Sequence, residues 1–479
     1  MKQLSLNALS LALCALTLAG TAPVLQAAPN QTRPAASAAK APQAVKRFVL
    51  HTNVVDGKMV YVDDKGVANP TLNVAVGDTV EIELFSGEGA EHDFIIDELG
   101  VASPKFSATQ KQKLRFQVTQ AGEFQYYCSI PGHRQVGMFG TLKVSGESLP
   151  AATASNNAAV ALYAPAATPL RAADPAAVDI AADPNKLPAP MAAHAPRVQK
   201  VRLETVELPG KLDDDTSFTY WTFNRQVPGP MLRARIGDTI ELTLANSKDS
   251  KAIHSIDLHA VTGGHGGGAD TQVAPGQEKT ITFKALHAGL FVYHCATPLV
   301  PQHIAAGMYG MILVEPEQGL PKVDREFYVM QGDMYTQRPI GAKGHQDVDL
   351  QKMSDELPSY YVFNGAVGAL SKTHKMQAKV GETVRIYFGV GGPNKVSSFH
   401  VIGEVFDKVY SEAALNTIKH SVQTTLVAPG GATIVELKMD HPGSYLLVDH
   451  ALSRTGKGAV GVLEVTGDST PGVYHSGAL

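Results

Sequence analysis

The sequence predicts an all-β chain made of three copies of one β-sandwich, and three observations carry that prediction. Glycine and proline are plentiful, at 44 and 29 of 479 residues, while few stretches keep a helical period; this favours short strands joined by turns. A turn followed by alternating strand residues recurs as Val76-Gly77-Asp78-Thr79-Val80-Glu81-Ile82, Ile236-Gly237-Asp238-Thr239-Ile240-Glu241-Leu242 and Val380-Gly381-Glu382-Thr383-Val384-Arg385-Ile386. Downstream, Gly122-Glu123-Phe124, Gly289-Leu290-Phe291 and Gly443-Ser444-Tyr445 form a second echo, and six residues after each glycine stand Cys128, Cys295 and Asp449. Repeats at this spacing are long enough for each copy to close its own core.

Taken in order, residues 1–28 carry Lys2, an apolar run and small residues ending at Ala27-Ala28, the pattern of a cleaved secretory signal. The mature protein is therefore expected in the periplasm. Cys14 lies in the apolar run and is discarded with it. Cys128 and Cys295 remain, each inside its own ligand-rich motif, which favours metal thiolates over a disulfide. The first sandwich is expected at 46–145. An Ala/Pro-rich linker and arm follow at 146–190, in which about 147–173 reads as a flexible or partly extended tether and 174–196 as an arm lying on the next domain. The second sandwich is expected at 191–318 and the third at 319–479. A net charge of -4 without any basic concentration argues against nucleic acid or an anionic membrane surface as partner. No segment after the leader is apolar for long enough to span a bilayer.

The chemistry lies beside the second echo. Cys295, His303 and Met308 offer a thiolate, an imidazole and a thioether. With His254 upstream they make the trigonal His2Cys set with a weak axial Met that suits an electron-transfer copper. The first copy repeats the set as His92, Cys128, His133 and Met138, with four residues between Cys and His against seven in the second copy. An isolated Cys-His pair would more simply be a buried core pair; the His and Met that follow at loop spacing favour the metal. The third copy also places a His between its echoes, His400, but has Asp449 in the thiolate position, so it cannot build such a site.

A second metal follows from strand parity. His294 immediately precedes Cys295 in a strand and must point to the opposite face. In the run 254–259, His254 faces one side, while Asp257 and His259 face the other. His259 and His294 thus pair on a separate ion, with His450, just after the lost thiolate position, as the candidate third ligand. Three neutral imidazoles with one open position make a catalytic site. Asp257, on that same face, and His400, read as the surviving His of a dead copper site, are candidate acids for a proton-consuming reduction. The alternatives are a carboxylate that orients a ligand His and a His packed in the core.

These residues closely resemble the copper-containing nitrite reductases that form nitric oxide. The resemblance covers about 174–467, through YWTF at 220–223, HSIDLHAVTGG at 254–264, VYHC at 292–295, HIAAGMYG at 303–310, GGPNKVSSFHVIGEVFDKVY at 391–410 and LVDH at 447–450. The Cys-to-His loop and EQGLPKVDREFYVMQGDMYT at 317–336 are similar to the neisserial subgroup. Residues 46–145 resemble a plastocyanin- or azurin-like domain, fused as in three-domain members. The resemblance implies three tandem cupredoxin Greek-key β-sandwiches. It implies two type 1 coppers and one type 2 copper per chain: type 1 on His254, Cys295, His303 and Met308 and on the first-copy set, type 2 on His259 and His294 of one subunit and His450 of its neighbour. A homotrimer or an assembly of trimers follows. Asp257 and His400 match the family's proton-donating pair, and Ile402 the apolar residue that crowds nitrite. The implied partners are nitrite and an external donor such as a c-type cytochrome or a cupredoxin.

Some positions depart from the pattern. Gln302 stands where many members have Trp or Met, on the usual partner-docking surface. The segment after His450 is shorter and lacks the common Phe side chains, and His265 occupies the Gly-rich loop after His259. Two rival readings are a blue-copper electron carrier without catalysis, with His259, His294 and His450 structural, and a laccase-like multicopper oxidase. The oxidase would need about eight histidines, largely in His-x-His pairs, and this chain has no such pair.

Overall fold

The computed structural model describes residues 45–55, 58–107, 110–130, 133–134, 136–148 and 171–474. The leader with Cys14, and most of the tether, lie outside the described residues. The rest is built from strands: three sandwiches, each of two packed sheets, on one repeated plan. In the first, the opening strand Val45–Val55 runs parallel to Thr79–Ser86, the strand that follows the recurrent turn. The short strand before that turn, Leu72–Ala75, runs parallel to the closing strand Phe139–Ser145. That closing strand pairs antiparallel with Gly122–Tyr127, the strand of the second echo. The same three pairings recur as Val198–Asp213 with Thr239–Asn246, Leu232–Arg235 with Tyr309–Glu315, and Gly289–His294 with Tyr309–Glu315. They recur again as Arg325–Met334 with Thr383–Val390, Met376–Lys379 with Val460–Thr466, and Gly443–Asp449 with Val460–Thr466. These are tandem cupredoxin β-sandwiches.

The recurrent turn has a local cause. Gly77, Gly237 and Gly381 take φ of 97°, 88° and 90°, a region that side chains disfavour. The acid that follows each glycine reaches back to cap the turn. Asp78, Asp238 and Glu382 accept the backbone N–H of Ala75, Arg235 and Lys379 at 2.9, 3.0 and 2.8 Å. Asp or Glu serves equally because the bond needs only a carboxylate within reach of that amide.

The second and third sandwiches share one core. Tyr220, Tyr309 and Met311 of the second pack with Tyr328, Met330 and Phe388 of the third, all buried. The approach is close enough that a Cβ on Gly391 would fall 2.1 Å from the Tyr309 ring. A buried charge chain crosses the same junction: Arg233 pairs with Glu315 at 2.5 Å and Glu326 at 3.1 Å, and Arg385 with Glu326 at 3.0 Å and Glu436 at 2.5 Å. Each guanidinium thus has two carboxylates, as burial of such charges requires. The first sandwich has a core of its own around Leu50, Phe94, Tyr126 and Leu142. The segment before Val198 lies along the second sandwich, exchanging backbone bonds between Ile180, Ala182 and Val227, and reaches the third where Tyr328 N donates to the Pro184 carbonyl at 2.9 Å.

Asp238 is fully buried and also accepts the Arg197 amide at 3.0 Å. Asp238→Ala leaves two backbone N–H groups without that acceptor, so we expect a loss of about 3 kcal/mol, measured as a lowered denaturant midpoint for the second and third sandwiches together. Asp238→Asn, which keeps one acceptor oxygen, should lose about half as much.

Candidate metal centres

The second sandwich brings His254, Cys295 and His303 to one point. His254 Nδ1 and His303 Nδ1 stand 3.3 Å apart, and Cys295 Sγ lies 3.3 Å from His303 Nδ1. All three side chains are buried, and their donor atoms lie within 4.8 Å of one another. The loop 295–308 is closed by its own backbone: Cys295 N donates to the Met308 carbonyl at 3.1 Å, and Met308 N to the His303 carbonyl at 3.1 Å, which keeps the buried Met308 beside the group. Burial alone would raise the Cys295 thiol, but His303 and His254 facing it pull it well below its ordinary value. Two ring nitrogens and a sulfur that converge on one another make a donor set of soft and borderline ligands, which fits copper. The far nitrogen of His254 is held at 3.1 Å by Glu207, and Trp221 packs edge-on against His303 at 4.7 Å between ring centres. Neither Glu207 nor Trp221 was marked by spacing, since both sit on strands remote in the sequence.

The first sandwich repeats the arrangement. His92 Nδ1 lies 3.1 Å from His133 Nδ1, and Cys128 Sγ lies 3.4 Å from His133 Nδ1. Cys128 N donates to the Met138 carbonyl at 3.2 Å, and Met138 is buried. Here Glu88, four residues before His92, takes the role of Glu207 by pairing with His92 Nε2. The carboxylate behind the first His comes from different elements in the two copies, so no fixed spacing announces it.

On the outer face of the same strand of the second sandwich, His259 Nε2 and His294 Nε2 stand 3.1 Å apart. Asp257 completes this second group, with its carboxylate 4.0 Å from His294 Nε2. Asp257 and His294 are register partners across two strands, which places both on the face away from Cys295. His294 Nδ1 faces the Cys295 carbonyl at 3.0 Å, so the nitrogen left for a metal is Nε2. Burial, and the neighbouring His294, hold His259 below its ordinary value, which favours the neutral imidazole a metal requires. Among the described residues of one chain, this half-site has two imidazoles and an acid but no third imidazole.

The third sandwich corrects one reading of the repeat. Ile95 pairs with Tyr127, Asp257 with His294, and His400 with Val448. Counted from these pairs, His400 occupies the position of Asp257, not that of His254; the buried Ser397 takes the latter place. His400 is therefore not the remnant of a copper ligand; it misleads because it lies three residues beyond the position that corresponds to His254. Ile402 correspondingly takes the place of His259. Asp449, in the thiolate position, is a hydrogen-bond hub that accepts from Ser398 N at 3.2 Å and Gln331 Nε2 at 3.1 Å and pairs with Arg454. His450 follows it on the outer face, its ring 5.3 Å from that of His400. Both line an open recess of about 660 Å³ on the surface. Among the described residues of one chain, His450 does not join the group formed by Asp257, His259 and His294.

Three segments of the chain match known families. Residues 50–145 match the family of copper-binding proteins of the plastocyanin/azurin type, and residues 206–319 and 339–469 match multicopper oxidase families. A copper-containing nitrite reductase of Neisseria meningitidis serogroup A is 54% identical over 277 residues, covering 58% of this chain and 72% of that protein. One of Alcaligenes xylosoxydans is 37% identical over 296 residues, covering 58% and 89%. Among solved structures, the copper nitrite reductase of Nitrosomonas europaea is 36% identical with a TM-score of 0.52, covering 57% of this chain and 96% of that one. The chain belongs to the copper-containing nitrite reductases and carries an additional cupredoxin domain at its N-terminal side.

Proposed function

We propose that the chain reduces nitrite to nitric oxide, with one electron and two protons consumed and one water released, at a site shared by two subunits of a homotrimer in the periplasm. The observation that carries this reading is the junction at 294–295: one peptide bond joins the buried thiolate group to the outward imidazole group, and the His294–Cys295 carbonyl contact at 3.0 Å doubles it. His254, Cys295, His303 and Met308 would hold a type 1 copper, His92, Cys128, His133 and Met138 a second, and His259 and His294 with His450 of the partner subunit a type 2 copper. Copper supplies the one-electron change and a Lewis-acid position for nitrite. Asp257 and His400 hold and deliver the protons, and Ile402 narrows the space beside the substrate.

The shared site is supported by what each half lacks. Asp257, His259 and His294 need a further imidazole, whereas His400 is half-buried and His450 exposed, and among the described residues of one chain no second imidazole pair groups with them. Around the second half the sheet presents Ile402 at 44%, Leu426 at 69% and Leu446 at 37% exposure, an apolar margin suited to a subunit contact.

The first sandwich is proposed as an internal electron relay. It sits with its His133 and Ile130 against Trp221, Gln302 and His303 of the second, around one cavity of about 390 Å³. Gln302 thus lies under the chain's own domain, which accounts for a departure on the surface where other members receive a partner. Burial, with His92 and His303 nearby, pushes His133 well below its ordinary value. An external donor, a c-type cytochrome or another cupredoxin, then feeds the first sandwich.

Co-expression tests the shared site. His259→Ala and His450→Ala chains should each be inactive alone, while mixed trimers at equal amounts regain about a quarter of the wild-type sites, because one interface in four combines the two intact halves; no recovery would place both halves in one chain. Asp257→Asn should lower kcat about 100-fold while the blue absorption is kept, and an unchanged pH-rate profile would remove Asp257 from proton delivery. Cys128→Ser should slow turnover with the natural donor at least tenfold yet leave turnover with a small chemical reductant unchanged.

A further inference from the structure

The docked first sandwich does more than cover His303. A larger cavity, of about 840 Å³, lies between it and the second sandwich. Asp257 and His265 line it from the catalytic side, with Ala269 further out, and Asn53 and Glu88 line it from the first sandwich. The two walls meet directly: a Cβ on Gly89 would stand 3.7 Å from Ala274 Cβ and 3.8 Å from the Pro275 ring.

The Gly-rich loop explains how the cavity reaches the acid. His265 and Gly266 both take left-handed φ, 49° and 65°, and a Cβ on Gly266 would fall 1.7 Å from Asp257 Oδ1. The loop therefore lies against the carboxylate with no side chain between them, and His265 projects at its edge. Glu88 is engaged by His92 and by Thr52, whose hydroxyl donates at 2.5 Å, so its charge is compensated on the side of the first sandwich. Lys279, also on the lining, and the His265 ring offer cationic or donor groups along the way to Asp257. The lining sets Lys279 and the His265 ring against the carboxylates of Glu88, which His92 and Thr52 already engage, and Asp257, and a cavity of about 840 Å³ has room for a small monoanion.

We infer that this cavity is the entry route of nitrite and that the first sandwich forms one of its walls, so the domain that relays electrons also sets substrate access. The inference rests on the nitrite reduction proposed above. It concerns the rate of arrival at the site, since a wall changes association and dissociation together and leaves equilibrium affinity alone.

The test uses the full-length, copper-loaded protein. Asn53 and Ala269 are exposed positions on opposite walls, and Asn53→Trp and Ala269→Trp each place an indole in the passage. The readout is the rate at which nitrite perturbs the type 2 paramagnetic resonance signal of the oxidised enzyme, followed by freeze-quench, together with kcat/KM. Both rates should fall about tenfold in each variant with nitrite affinity, copper content and blue absorption unchanged. Should Asn53→Trp lose its blue colour, Asn53→Tyr carries the same test. A wild-type association rate in the Asn53 variant overturns the inference, whatever Ala269→Trp does. If the wild-type enzyme makes no nitric oxide from nitrite, the underlying reading fails; if it does and the Asn53 variant admits nitrite at the same rate, only the wall fails.

Discussion

One constraint organises the molecule: successive residues of a strand point to opposite faces. At 294–295 that alternation sends a thiolate into the core of the second sandwich and an imidazole out of it, so two donor groups of different chemistry share a single peptide unit. The buried group is dry and preformed, with its three donor atoms mutually within 4.8 Å. The outward group is left incomplete at a surface. Electron transfer favours the first environment, because little rearrangement is possible there, and substrate exchange requires the second. A change that shifted this strand by one residue would exchange the two faces and break up both donor groups at once.

Comparison of the copies gives the surface site a deeper regularity. Asp257, His259 and His294 in the second sandwich correspond in register to His400, Ile402 and Val448 in the third. The proposed catalytic site is thus assembled from corresponding faces of two related domains, one carrying the ligands and an acid, the other an acid, an apolar wall and His450. The first sandwich has Ile95 and Tyr127 in the places of Asp257 and His294 and so keeps a thiolate group without any outward ligand pair. The three sandwiches thus differ in what one face carries while keeping one fold.

Much of this is legible in the residues themselves. The triple turn is visible because a positive-φ glycine followed by a capping acid is a strictly local device, and the thiolate groups because Cys, His and Met share one loop. The opposed faces of His294 and Cys295 follow from parity alone. Three features do not. The place of His400 is not legible because strand register depends on pairing across the sheet, and the run of residues before His400 gives no sign of a three-residue offset. Glu88 and Glu207 hold equivalent histidines from unrelated elements. The seating of the first sandwich over Gln302 and His303 depends on surface fit between domains, which leaves no periodic trace; only the unusual Gln302 hinted at it.

The most direct measurement is nitric oxide released from nitrite by the purified, fully copper-loaded protein under a limiting amount of chemical reductant, with metal content determined on the same sample. Three coppers per chain, a type 2 paramagnetic signal and one nitric oxide per electron supplied are the expected result. Two blue coppers per chain, no type 2 signal and no nitric oxide would contradict it, and would leave an electron carrier whose outward histidines are structural.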